Sequence, residues 1–156
     1  MKLSDDQFDD NNNLPLAIIF GVFCAVASAI ATVNNVGAAY IFVGILIGNL
    51  LAFKIDGIHH LITLVIYIII SVIGGLPELN IAILLVCILS ALGDEVGHEL
   101  SSNTQNTFIH YFFEYRFLMK IVMLLLVLFG VFGFEIFIFF ILFEVAYLMA
   151  GKLVKN

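Results

Sequence analysis

"FLMKIVMLLLVLFGVFGFEIFIFFILFEVAYLMAGKLV", residues Phe117 to Val154, decides how often this chain crosses a membrane. Read as one helix, its 38 residues would extend about 57 Å. The hydrocarbon core of a bilayer is only about 30 Å thick. Gly130 and Gly133 bracket the place where the run can turn. Two helices fit: one ending near Gly130, the other running from about Phe134 to Lys152. The first must start upstream, near Ile109 to Phe113, to be long enough.

Working outward, the same pattern recurs. The chain is 63% hydrophobic and 12% charged, with a mean hydropathy of +1.16. Soluble domains carry about a quarter charged residues. Apolar runs predict spans at 14–33, 36–54, 58–75, 77–94, 111–130 and 134–152. Asn34-Asn35 make the first turn, and Asp56 to His60 form a polar knot in the second connection. Gly74-Gly75 end the third span, and Pro77 suits the first turn of the fourth. The expected fold class is all-α: a polytopic integral membrane bundle of six transmembrane helices, a single domain over 14–154. Little chain of the 156 residues is left for a soluble catalytic domain.

Six spans put the N-terminus, the 2–3 loop, the 4–5 loop and the C-terminus on one side. Lys2, Lys54, Arg116, Lys120, Lys152 and Lys155, all the basic residues, then share that side. The other side has Asn34-Asn35, Glu78 and Glu135. Lys and Arg accumulate in cytoplasmic loops, so both termini are expected to be cytoplasmic in a cell membrane. Five spans would split the set. The acidic tail at 1–13, with Asp5, Asp6, Asp9, Asp10 and three asparagines, is expected to be disordered. Its charge has the wrong sign for a signal peptide, so the first span is expected to be retained.

Basic residues this few and scattered exclude nucleic acid as a partner. Cys24 and Cys87 lie inside apolar runs without CxxC and read as small buried hydrophobes. Gly44/Gly48 and Ala25/Ala29 give small-xxx-small pairs. These serve close packing within the monomer or a homo-oligomer contact.

The chemistry collects on the cytoplasmic side. His59, His60, His98 and His110 fall there, with Asp56, Asp94, Glu95, Glu99 and Glu114. Asp56-x-x-His59 lies where span 2 ends and Glu95-x-x-His98 ends span 4, so both motifs arrive at similar depth. Residues three or four apart share a helix face. Span 6 carries a faint echo in Glu144 and Tyr147. Glu144 is expected near mid-bilayer, with Lys120 at comparable depth on the adjacent helix. A charge there costs at least ~2.5–3.5 kcal/mol on insertion scales, which pairing would offset. That pair reads equally as a functional intramembrane acid and as a lock between spans 5 and 6.

Three functions follow. The first is a metal-dependent enzyme on a lipid or prenyl substrate. Asp56, His59, Glu95 and His98 would hold a divalent ion such as zinc, manganese or iron. Glu114 would be the general base, and Arg116 and Lys120 would hold a phosphate. A two-metal version adds Glu114 and Glu144 as ligands. The second is a proton- or cation-coupled transporter lined by Glu144, Asn49 and Lys120. The third is a structural or accessory membrane subunit whose charges meet the cytosol. The enzyme is preferred, because the polar groups share one side and one depth.

Overall fold

A computed structural model describes residues 1–101 and 104–153. Among these the chain is helical, without strands: α1 (Lys2–Asp9), α2 (Leu14–Asn34), α3 (Val36–Leu51), α4 (Ile58–Gly74), α5 (Ile81–Ser101), α6 (Thr107–Glu114), α7 (Phe117–Leu128) and α8 (Phe134–Leu153). Three of these helices, α2, α5 and α8, are long and apolar enough to cross a membrane, while α3, α4 and α7 are shorter apolar helices. Phe23, Phe53, Val72, Ile73, Leu128 and Phe129 are exposed. So much outward apolar surface is compatible with a membrane location.

Asparagines set the helix starts. Asn13 accepts from the Leu16 amide at 3.2 Å to cap α2, and Asn35 accepts from Ala38 at 2.9 Å to cap α3. Asn80 caps α5 through Ala82 and Ile83. The fourth apolar helix therefore starts at Ile81 and not at Pro77. The Asn80 amide itself donates to the Tyr40 hydroxyl at 2.6 Å, which holds the incoming chain against α3.

The fifth span departs more. A continuous helix from 111 was expected, but α6 ends at Glu114 and Arg116 adopts a left-handed backbone (φ 50°, ψ 49°). Asp94 of α5 explains the break. Its carboxylate accepts from the amides of Leu118 at 3.0 Å and Met119 at 2.7 Å. It thereby caps α7 from another helix, satisfying donors that a helix start leaves orphaned. With its 12 residues, α7 is about 18 Å long. The turn at Gly130 is as read from the sequence, with positive φ (73°) there.

The acidic tail also departs from the expected disorder. Residues Lys2–Asp9 form α1, with Lys2 and Asp6 paired at 2.9 Å one turn apart. The Ser4 hydroxyl donates to the Ala17 carbonyl at 2.7 Å. Phe8 packs its ring 4.5 Å from that of His59. These tertiary contacts order a segment whose composition alone cannot.

Both small-residue pairs are used inside the chain. Gly44 lies against Cys87 and Gly48 against Ala91, so α3 and α5 run parallel in close contact. Ala25 and Ala29 are buried with Tyr67. Gly21 meets Thr63 and Gly74 meets Val33, so α2 and α4 are parallel too. Ile136 at the start of α8 packs on Gly37 at the start of α3. Asp94 near the end of α5 meets the start of α7. Thus α2, α4 and α7 point one way, and α3, α5 and α8 the other. Tyr40, Ile41, Cys87, Met119, Met123 and Phe140 form the main core between α3, α5, α7 and α8.

Candidate functional site

The late turns of α5 and α8 and the start of α7 bring their charges together. Glu95 accepts from the Arg116 guanidinium. Lys120 donates to Glu144 at 2.9 Å and also to the Tyr115 carbonyl. The Arg116 guanidinium lies over the Tyr147 ring, 5.1 Å from its centroid. Glu95, Asp94 and Glu144 are all buried.

The left-handed turn at Arg116 aims this side chain. Because α7 begins only at Phe117, Lys120 sits in its first turn. Asn49, Asp94, Glu95, Arg116 and Glu144 line one small cleft with Ile45, Ala91 and Met119; its free volume is about 10 Å³. That is room for one water at most. A closed cluster of this kind can hold charges in register and pass a proton, but admits no larger ligand as it stands.

A roomier cleft of about 270 Å³ lies between α1, α2 and α8. Phe20, Phe23, Cys24, Phe143, Ala146 and Ala150 wall it, with Lys2 and Leu3 from α1. Tyr147 belongs to both places: it lines this cleft and lies under Arg116.

The metal ligand set expected from the sequence does not assemble. Asp56 is 80% exposed and lies 3.7 Å from His60. His59 is buried beside Asp5. Glu95 pairs with Arg116, and His98 lies 3.4 Å from Glu114. Glu95 and His98 lie on α5, but Asp56 precedes α4 and His59 opens it, so the first motif does not end α3 as expected. α4 packs on α2 with α1 over its start, whereas α5 packs on α3 and α7. Glu114, expected as general base beside that ligand set, is half exposed and lies next to one member of it, His98. The expected Lys120–Glu144 pair does form. The ends of α3 and α5 are adjacent as expected, with Lys54 3.6 Å from Glu99.

Two features were missed. Asp94 serves α7 as a cap, and nothing local in the sequence signals that. Asp5 joins His59 and His60, and the signal available was the Lys2/Asp6 spacing that favours a helix. Burial pushes the Asp5 carboxyl above its ordinary range, against the pull of the neighbouring His60. Among known proteins, no family model, no curated protein and no solved structure matches this chain.

Proposed function

We propose that this is a six-pass membrane protein, both termini cytoplasmic, that binds and acts on a phosphorylated lipid or prenyl amphiphile at the cytoplasmic leaflet. The chain of the amphiphile lies in the cleft between α1, α2 and α8. Its phosphate turns past Tyr147 toward Arg116 and Lys120, opening their ion pairs with Glu95 and Glu144. Those two acids, released, become the proton-handling groups. The observation that carries this reading is the double position of Tyr147, on the wall of the apolar cleft and under the Arg116 guanidinium. Alternating helix directions and the one-sided basic residues support the six-pass arrangement. The ligand set first expected for a metal is dropped from this site, since its members lie apart. Native mass spectrometry of the detergent-solubilised protein tests the reading. Wild type should retain a phosphorylated amphiphile, and Ala146→Phe, which fills the cleft, should lose it.

A second reading rests on the buried Lys120–Glu144 pair. A carboxylate held by an ammonium between two apolar helices suits a proton relay. Proteoliposomes should then show proton flux that Glu144→Gln abolishes. Equal leakage with and without the protein would exclude it.

A further inference from the structure

Three polar atoms at the foot of α4 share one spot. His59 Nε2 lies 3.4 Å from Asp5 Oδ1, and His60 Nε2 lies 3.5 Å from the same oxygen. Asp56 Oδ1 is 3.7 Å from His60 Nε2. Neither ring nitrogen of His59 has a hydrogen-bond partner among the described residues, nor does Asp5 Oδ1, and His59 is only 2% exposed. N–H···O bonds centre near about 2.9–3.0 Å, so these contacts are long and leave the buried His59 ring without a well-formed hydrogen bond. Buried polar atoms are rarely left this way.

We propose that Asp5, His59 and His60 bind a divalent transition ion of the zinc class, with the fourth position open to a water or substrate oxygen. Tetrahedral zinc with nitrogen and oxygen ligands has ligand-to-ligand edges of about 3.3–3.6 Å, from bond lengths near 2.0–2.2 Å. The 3.4 and 3.5 Å separations of Asp5 from the two imidazoles fall within that range. One atom each from Asp5, His59 and His60 falls within a 4.8 Å group, the one such group of three or more among the described residues. Two imidazoles and one carboxylate are a donor set that zinc takes with an open fourth position. Phe8 covers the His59 ring and closes the site to water on that side. Gly57 makes room for it: a Cβ there would stand 2.4 Å from His59 Cε1. Asp56, mostly exposed and 3.7 Å from His60, lies at the rim of the site.

The ion ties α1 to α4, and α1 supplies Lys2 and Leu3 to the amphiphile cleft. That consequence rests on the function proposed above, but metal binding is read without any amphiphile. The untagged 156-residue chain in detergent is stripped with chelator and dialysed against zinc chloride. One zinc per chain is expected, with affinity reduced more than about tenfold in His59→Gln and in Asp5→Asn. Cobalt(II) in place of zinc should give the strong visible absorption of a tetrahedral site. His98→Ala should bind as wild type does. Absence of zinc from folded wild type, unchanged binding in Asp5→Asn, or a weak octahedral cobalt spectrum would overturn the assignment. Asp5 lies on α1, outside the main core, so its variant carries the comparison even if His59→Gln fails to fold.

Discussion

Lys120→Met alone should lower the unfolding free energy by about 3–5 kcal/mol, because it leaves Glu144 buried without its counter-charge. The double variant Lys120→Met/Glu144→Leu should recover most of it, since an apolar pair of similar size often replaces a buried ion pair at little cost. The asymmetry follows from burial: Glu144 is 3% exposed and has Lys120 as its charged partner. Chemical unfolding in detergent, read as a double-mutant cycle, measures the coupling. A loss in the double variant equal to the sum of the Lys120→Met and Glu144→Leu losses would mean that the pair contributes nothing beyond its parts.

Asp94→Ala should be the second large effect, about 2–4 kcal/mol. It removes the acceptor for two amides, each of which costs about 1–3 kcal/mol when left unsatisfied in a buried place. Removing a buried carboxylate offsets part of that. The effect has a location as well as a size. Hydrogen exchange should accelerate at the Leu118 and Met119 amides and leave the α2–α4 contact unchanged. With its cap gone, α7 also loosens Arg116 and Lys120, so charge register in the cluster should fail together with the helix start. Unchanged protection at these two amides would show that the break before α7 has another cause.

What the residues alone revealed was local. The Asn34-Asn35 turn, the turn at Gly130 and the apolar helices follow from composition and from what single residues do to the backbone. The Lys120–Glu144 pair was legible because adjacent antiparallel helices joined by a short turn must face each other. What stayed hidden was tertiary. The break at Tyr115–Arg116 is set by an acid 24 residues before Leu118. Asp56-x-x-His59 and Glu95-x-x-His98 look alike in spacing, yet one faces α1 and the other α7. Periodicity gives a face and leaves its partner open. For α1 the Lys2/Asp6 spacing was the one local signal, while Ser4 and Phe8 are held by Ala17 and His59 through tertiary contacts.

The central claim is that an apolar cleft and a charged cluster share Tyr147 and serve one amphiphile. Its most direct measurement is bound lipid, identified by mass spectrometry, in wild type and Ala146→Phe purified side by side. The account predicts a phosphate-bearing amphiphile on wild type and its loss from the variant at unchanged helical content. No bound amphiphile on wild type, or equal retention by both proteins, would contradict it.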